Sequence, residues 1–301
     1  MAKTFEEVLS KVKQGKMRTV AVAVAQDEPV LEAVKAAKEQ GIANAILVGD
    51  ERAIKEIAKQ INMDLEGFEI VHEEDSVKAA LKAVELVSTG KADMVMKGLI
   101  DTANFLRAVL NKEIGLRTGK LMSHVAVFEI PKYDRLIFMT DAAFNMYPDI
   151  KAKIDIINNA VFVAKAIGVD IPKVAPICAV EVVNPDMPAT VDASILSKMN
   201  DRGQIKDCIV DGPFALDIAL SMEAAKHKKV GGQVAGQADI MLLPNIEAAN
   251  VMYKTLTYTT ESKNGGLLVG TSAPVIVTSR ADSFETKLNS IALAALVVAA
   301  K

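Results

Sequence analysis

The sequence has few of the residues that mark disulfide-rich domains or aromatic-rich folds. It contains two cysteines, Cys178 and Cys208, which are too few for a disulfide framework or, by themselves, a zinc site. Tryptophan is absent and aromatic residues make up 4% of the chain. We therefore expect two small core thiols, and helices packed on an aliphatic sheet in preference to a β-sandwich.

Neither sign of charge dominates, because 35 lysines and arginines face 38 aspartates and glutamates for a net charge of −3. No basic run could neutralise a row of phosphates, so nucleic acid is not an expected partner. The longest apolar stretch, 291–300, is about half of the roughly 20 residues of a membrane span, which predicts a buried helix face and no membrane partner. With free thiols and no signal sequence, we expect a cytoplasmic protein.

What the chain does contain is a regular alternation of strand and helix patterns. Half of its 301 residues are hydrophobic, which suits two globular domains of ordinary size. A β-branched run at 18–25 precedes a helical pattern at 28–40, and the run at 92–96 precedes a helix from Thr102. The alternation predicts α/β architecture with mostly parallel sheets covered by helices on both faces.

This rhythm breaks at two extended runs, 122–130 and 136–140. The loop between them is too short for a crossover helix, so the runs should pair antiparallel or carry the chain between domains. We expect domains over 1–130 and 131–280, each a three-layer αβα unit. An interdomain cleft is then the expected ligand site, beyond the carboxyl ends of the strands.

Two groups of residues at predicted strand ends could bind an anion. Lys97 and Gly98 follow one strand, and Thr102 begins the next helix, although an ordinary strand-to-helix turn explains these residues at least as well. Ser279 and Arg280 follow the apolar PVIVT strand. Arginine offers a planar charged fork for phosphate, and serine offers a hydroxyl for an oxyanion or a thiolate.

The remaining polar candidates are ambiguous from the residues alone. Asp141 could orient a substrate or cap a helix, and Ser123 next to His124 is not a nucleophile pair if both lie in a regular strand. Further candidates follow later strands, where each also has a plain structural interpretation: Gly212, Pro213, Asp217, Asn250 and Lys254.

Six segments taken together resemble the phosphate acetyltransferase and phosphate butyryltransferase family, and they run in order through nearly the whole chain. They are KGLIDT (97–102), FMTDAAFNMYPD (138–149), PKVAPICAVEVVNP (172–185), DGPFALDIA (211–219), VAGQADIMLLPNIEAANVMYK (234–254) and APVIVTSRADS (273–283). The short length, CAVEVVNP and SRADS are more similar to the butyryl branch.

The resemblance implies reversible transfer of a short acyl group, butyryl in this branch, between coenzyme A and inorganic phosphate. The acyl phosphate product could serve a kinase, which would place the protein in butyrate metabolism. Coenzyme A is then a substrate, with no permanently bound cofactor and no catalytic metal, and the chain should form homo-oligomers. The implied fold is that of isocitrate and isopropylmalate dehydrogenases, with a final helix over 281–301 joining the first domain.

The resemblance also implies roles for individual residues. Ser279 and Arg280 should lie at the reacting centre. Lys97, Gly98, Thr102 and Ser123 should complete a phosphate pocket. The other phosphate or coenzyme A candidates are Asp141, Gly212, Pro213, Asp217, Asn250 and Lys254.

One departure from the family pattern concerns the base that takes the thiol proton. Acetyltransferase relatives carry an aspartate seven residues after the serine, where this chain has Thr286. Glu285, Asp282 or another carboxylate could substitute, or coenzyme A could enter partly ionised. We take Glu285 as the candidate.

Other functions stay open at this stage. They are acetyl transfer from acetyl-CoA, a non-catalytic protein that binds acyl-CoA or a phosphorylated metabolite, a transferase acting on acyl carrier protein, and a dehydrogenase of the same architecture.

Overall fold

A computed structural model describes residues 2–279 and 282–301. Its strands are β1 Arg18–Ala23, β2 Ala43–Gly49, β3 Glu69–His72, β4 Met94–Lys97, β5 Ser123–Glu129, β6 Ile137–Thr140, β7 Lys173–Pro176, β8 Ile209–Val210, β9 Ile240–Leu242, β10 Lys263–Val269 and β11 Val275–Ile276. Its helices are α1 Phe5–Lys13, α2 Glu28–Glu39, α3 Glu51–Gln60, α4 Ser76–Ser88, α5 Thr102–Val109, α6 Ile150–Ile167, α7 Pro188–Asp201, α8 Leu216–Leu220, α9 Met222–His227, α10 Ile246–Thr259 and α11 Phe284–Ala299. No helix in these residues is long and apolar enough to cross a membrane.

The chain divides into two compact units. The central unit comprises Leu121–Asn264 with the amino-terminal residues up to Thr4, and the discontinuous unit comprises Phe5–Lys120 and Gly265–Lys301. The divisions therefore fall at 120/121 and 264/265, whereas we expected them at 130/131 and 280/281. The physical reason for the first shift is that β5 pairs with β6, which keeps both strands of this hairpin in the central unit.

The discontinuous unit is built on strands in the order β3-β2-β1-β4-β11-β10. All are parallel except β10, which runs antiparallel to β11. Aspartates Asp27, Asp50, Asp75 and Asp101 cap helices α2 to α5, each by accepting backbone N–H groups of the first turn. The predicted α/β class with mostly parallel strands is confirmed.

The central unit has strands in the order β5-β6-β9-β7-β8. The predicted antiparallel pairing of β5 with β6 is confirmed, and β6, β9, β7 and β8 are parallel. The fully buried side chains of Phe128, Met139, Ile218 and Met241 belong to its core. The parallel strands place their carboxyl ends at one edge of this unit.

Three elements have no counterpart in the sequence-based prediction, namely α1, α9 and β10. The β10 strand contains Gly265 and Gly266, and glycine is uncommon in strands. In the structure the glycines allow α11 to approach closely: a Cβ on Gly265 would lie 3.0 Å from Asn289 Cβ, and Gly266 N–H donates to Ser290 Oγ at 3.0 Å. Packing against a distant helix therefore decides the use of these glycines.

Candidate functional site

Three parallel strands of the discontinuous unit end side by side. β4 lies between β1 and β11, with Lys97 opposite Ala23 and Met96 opposite Ile276. Lys97 is the last residue of β4, and Ser279 follows β11 after two further residues. The carboxyl ends of parallel strands meet at one edge, so the predicted cation and the predicted hydroxyl lie at the same edge of this unit.

The turn after β4 packs backbone against backbone. Lys97 is 5% exposed, and its ammonium donates to the carbonyls of Gly98 at 3.1 Å and Ile100 at 2.8 Å. Gly98 N–H donates to Ala23 O at 2.8 Å, and a Cβ on Gly98 would lie only 2.2 Å from Val24 O. Glycine is required here because any side chain would collide with the end of β1.

The amino terminus of α5 already carries a negative charge. Asp101 accepts the Asn104 backbone N–H at 2.9 Å, and the hydrogen bonds from Asn104 lower the pKa of the Asp101 carboxyl. Thr102 is the exposed first residue of the helix. An anion at this helix end would meet the Asp101 carboxylate, and phosphate binding by Thr102 stays a prediction.

Ser279 is joined by hydrogen bonds to Asp282, which lies shortly before the last helix. It is exposed, its backbone N–H donates to Asp282 Oδ2 at 2.7 Å, and Asp282 N–H donates to Ser279 O at 3.2 Å. This reciprocal pair fixes the backbone of Ser279 while the residue remains accessible to a substrate. Arg280, the other predicted catalytic residue, lies outside the described residues.

The candidate bases differ in their surroundings. One oxygen of Asp282 is already engaged by Ser279 N–H, whereas Glu285 is exposed in the first turn of α11. Thr286 takes part in the helix cap, where its N–H donates to Ser283 Oγ at 3.2 Å. The Asp282 carboxylate thus binds the Ser279 backbone N–H, and Glu285 stays the predicted base.

In the central unit, Asp141 directly follows β6 and organises a loop. It is buried, and its carboxylate accepts the backbone N–H groups of Ala143 and Phe144, both at 3.0 Å, and Asn145 Nδ2 at 2.6 Å. The prediction that Asp141 caps a helix is wrong, because α6 begins at Ile150 and its cap is Asp149; the Asp141 carboxylate instead stabilises the loop after β6. Direct binding of phosphate or coenzyme A by Asp141 stays a prediction.

Ser123 and His124 open β5 and face different helices, as expected of neighbours in a strand. Ser123 is fully buried, and Asn159 Nδ2 of α6 donates to its hydroxyl at 2.8 Å. The His124 ring stands edge-on to Tyr253 of α10 with 6.2 Å between ring centroids. The Ser123 hydroxyl is thus enclosed and already bonded to Asn159. The phosphate contact predicted for Ser123 stays a prediction.

Gly212 and Pro213 form the turn after β8, beside the end of β7. Phe214 N–H donates to Pro176 O at 3.3 Å, and Gly212 N–H donates to Asp211 Oδ1 at 2.9 Å. Burial raises the pKa of the Asp211 carboxyl. These contacts show a strand-to-helix junction, and a ligand contact at Gly212 or Pro213 stays a prediction.

Asp217 is exposed on α8 and has a partner that the sequence did not indicate. Lys228 Nζ lies 3.3 Å from Asp217 Oδ2 and 3.7 Å from Glu181 Oε2. The lysine therefore links the loop after β7 to α8. The spacing of these three residues in the sequence does not predict the contact.

Asn250 and Lys254 lie one turn apart on α10. Asn250 Nδ2 donates to Ala142 O at 3.4 Å, so the structure brings Asn250 to the Asp141 loop. Lys254 is exposed, with its ammonium 5.9 Å from the centroid of the Tyr258 ring. Asn250 is therefore linked to the loop that begins at Asp141, through the residue that follows Asp141 in the chain.

An ion pair that the sequence analysis missed, between a buried lysine and a half-buried aspartate, lies beneath the ends of β7 and β9. Lys153 Nζ of α6 is 2.5 Å from Asp192 Oδ2 of α7, and both side chains line a small cavity with Pro176 and Pro244. The nearby Cys178 thiol has its pKa raised to about 11, chiefly by burial. The thiol is protonated near neutral pH, as expected of a packing residue.

Known proteins resemble this chain over its whole length. Residues 4–81 and 73–295 match the family described as "Phosphate acetyl/butaryl transferase". A phosphate butyryltransferase from Clostridium acetobutylicum is 72% identical over 301 residues, which is 100% of both chains. A crystal structure of a branched-chain phosphotransacylase from Enterococcus faecalis V583 shares 36% identity at a TM-score of 0.83, covering 94% of this chain and 99% of that one.

The dehydrogenase-like architecture is also confirmed at the level of fold. A 4-hydroxythreonine-4-phosphate dehydrogenase from Burkholderia phymatum matches with a TM-score of 0.54 at 12% identity, over 94% of this chain and 99% of that one. A likeness at this identity concerns the fold alone.

Proposed function

This chain belongs to the phosphate acetyl/butyryl transferase family, and on that premise we propose that it is a phosphate butyryltransferase. It is an enzyme that transfers an acyl group reversibly between coenzyme A and inorganic phosphate. The full-length match at 72% identity carries this assignment, and butyryl is the acyl group that it favours.

We propose direct attack within a ternary complex. A phosphate oxygen adds to the thioester carbonyl, the carbon–sulfur bond then breaks, and the thiolate leaves with a proton taken from a nearby acid. Such a reaction gains chiefly from holding both reactants in line and from a donor for the tetrahedral oxyanion. No acyl-enzyme intermediate is required.

In this scheme the catalytic residues are Ser279, Arg280 and Glu285. Arg280 grips the phosphate, Ser279 donates to the carbonyl oxygen or steadies the sulfur, and Glu285 exchanges the thiol proton. Two observations support the role of Ser279: it is exposed, and it follows a strand that lies directly beside the strand ending at Lys97.

The binding residues are proposed in two sets, one on each unit. Lys97, Gly98 and Thr102 form the phosphate-binding set of the discontinuous unit. The set on the central unit consists of Ser123, Asp141, Gly212, Pro213, Asp217, Asn250 and Lys254. The position of Lys97 supports the first set, because its side-chain nitrogen is held at the strand end by the carbonyls of Gly98 and Ile100.

Coenzyme A serves as a substrate in this proposal, no cofactor is permanently bound, and the compartment is the cytoplasm. The two protonated thiols suit a reducing compartment. We further propose that the chain forms homo-oligomers. Large apolar side chains exposed on α8 and α10, including Leu216, Val251 and Tyr258, support self-association.

The decisive measurement is the initial rate of phosphate-dependent coenzyme A release from acetyl-, propionyl-, butyryl- and branched acyl-CoA. We expect the highest kcat/KM with butyryl-CoA. A higher value with acetyl-CoA would assign the chain to the acetyl branch. Binding of acyl-CoA that protects against thermal unfolding, without any turnover, would instead indicate a binding protein.

Replacing Ser279 should slow catalysis without disturbing the fold. We expect Ser279→Ala to lower kcat by about 10- to 100-fold, which corresponds to the loss of one hydrogen bond to a charged reacting group. The measurement is steady-state butyryl-CoA turnover. Ser272→Ala is the matched control because Ser272 is an exposed serine before β11, at the opposite end of the same strand. Equal kinetics of the two variants would remove the role of Ser279.

A further inference from the structure

A lysine that the proposed mechanism does not use is buried next to Ser279 and Asp282. Lys287 lies in the first turns of α11 and is 2% exposed. Its ammonium donates to Asp282 O at 2.6 Å and to Ser279 O at 3.3 Å. Lys287 therefore binds the same two residues, Ser279 and Asp282, that the reciprocal backbone hydrogen bonds join.

This placement of a charge is unfavourable in two ways. Burial removes the ammonium from water, and this burial lowers the pKa of Lys287. A cation near a helix amino terminus is also repelled by the helix dipole. The carboxylates that face the Lys287 ammonium are those of Asp282 and of Asp27, which caps α2. Both negative charges favour the protonated form of Lys287. A buried ammonium is weak evidence for stability and points to a role in a functional site.

The four hydrogen bonds among Ser279, Asp282 and Lys287 act together. Ser279 N–H is bonded to the Asp282 carboxylate, Asp282 N–H is bonded to Ser279 O, and Lys287 holds both carbonyl oxygens. Without the ammonium, the carbonyls of Ser279 and Asp282 lose a shared charged donor, and such donors form hydrogen bonds about twice as strong as neutral ones. The backbone of Ser279 would then sample a wider range of positions.

We propose that Lys287 is a positioning residue for acyl transfer, which fixes the backbones of Ser279 and Asp282 so that Ser279 is held ready for the reacting group. Lys287 touches no substrate and acts through these two residues. The inference rests on the proposed function of Ser279. It concerns a residue of this chain for which neither strand-end position nor any motif predicts a role.

The test compares three variants of the full chain in butyryl-CoA turnover. Lys287→Met removes the donors and the charge at similar length, Lys287→Gln keeps a neutral donor, and Lys301→Met is the matched control. Lys301 likewise donates to two backbone carbonyls of the same unit, Thr271 O at 3.2 Å and Ser272 O at 2.7 Å, but on a different loop.

We expect Lys287→Met to lower kcat about 10- to 100-fold while KM for phosphate and butyryl-CoA stays within about threefold. Lys287→Gln should retain more activity than Lys287→Met, and Lys301→Met should keep kcat within about twofold of the parent. Full activity of Lys287→Met, or equal losses in the Lys287→Met and Lys301→Met variants, would overturn the proposal.

Titration gives a second readout. The parent kcat should fall as pH rises through the lowered pKa of Lys287, and this alkaline decline should be missing in Lys287→Met. The stability of the parent relative to Lys287→Met should rise between that pKa and the ordinary value of 10.5, because the unfolded chain binds the proton more tightly there. An identical alkaline decline in both proteins would contradict the positioning role.

Amide hydrogen exchange separates this proposal from the proposed function. In Lys287→Met, the peptide that contains the Ser279 and Asp282 amides should exchange faster than in the parent, and in Lys301→Met it should not. Unchanged exchange in Lys287→Met would show that Lys287 does not restrain the backbones of Ser279 and Asp282, and would overturn the proposal. A parent protein without acyl transfer would remove the proposed function, whereas an active parent with a fully active Lys287→Met would remove only the role of Lys287.

Discussion

An Arg280→Ala variant is expected to turn over butyryl-CoA and phosphate about 100- to 1000-fold more slowly than the parent chain. The guanidinium is always charged and presents parallel N–H donors that match two phosphate oxygens, so its loss removes a bidentate charged contact at the reacting group. Steady-state coenzyme A release with phosphate is the measurement. The expectation comes from the chemistry of the residue and the family resemblance, since Arg280 lies outside the described residues.

Two further variants test whether the loss is specific to the guanidinium of residue 280. Arg280→Lys keeps the charge and loses the fork, so its turnover should fall between those of the parent and Arg280→Ala. Arg52→Ala is the control, because Arg52 is an exposed arginine on α3 of the discontinuous unit. Near-normal phosphate-dependent turnover by Arg280→Ala would refute the assignment of Arg280 to the reacting centre.

The second large effect is expected from Gly98→Ala, which should destabilise the discontinuous unit by about 3 kcal/mol. The added Cβ would lie 2.2 Å from Val24 O and 2.7 Å from Ala23 O. Both are backbone atoms at the end of β1 and cannot rotate away as a side chain would. The strand ends must therefore separate, which also displaces the turn that holds the Lys97 ammonium.

Denaturant unfolding monitored by circular dichroism checks this expectation, with binding of phosphate as a second readout. Gly15→Ala is the matched control in the same unit, because its Cβ would meet Val12 O at an ordinary 3.5 Å. If Gly98→Ala unfolded at the same midpoint as the parent and Gly15→Ala, the close backbone approach would have no energetic consequence.

Much of the fold could be predicted because its signals are local. Alternation of β-branched runs with helical periods indicated most of the strands and helices, and a helix-capping aspartate follows β1, β2, β3 and β4. The pairing of β5 with β6 followed from the short loop between them. These features depend on neighbouring residues, so a single sequence carries them.

Features that depend on distant segments could not be read in this way. The glycines of β10 suggested no strand, because their use becomes clear only when α11 packs on Gly265. The boundary of the central unit likewise depends on strand pairing, since β5 pairs with β6. Glycine content and loop length limit where a strand or a unit boundary can occur, but the segment that packs against it determines where it does occur.

The candidate site shows the same division. Lys97 and Ser279 were identified because both follow strands, and the register of β4 and β11 does place those strand ends side by side. Lys287 and the pair formed by Lys153 and Asp192 escaped notice because a lysine in a helix is usually solvated. Their burial follows from contacts with residues far away in the chain or across a turn.

By itself the sequence determined the α/β class, the order of most elements, the family and the residues at the strand ends, because periodicity, turn chemistry and motifs are properties of short segments. Only the tertiary structure decided which polar groups are enclosed and which carbonyls they bind. The free energy of a buried charge depends on the solvent it loses and the dipoles that replace it, and both are supplied by the packing of separate segments.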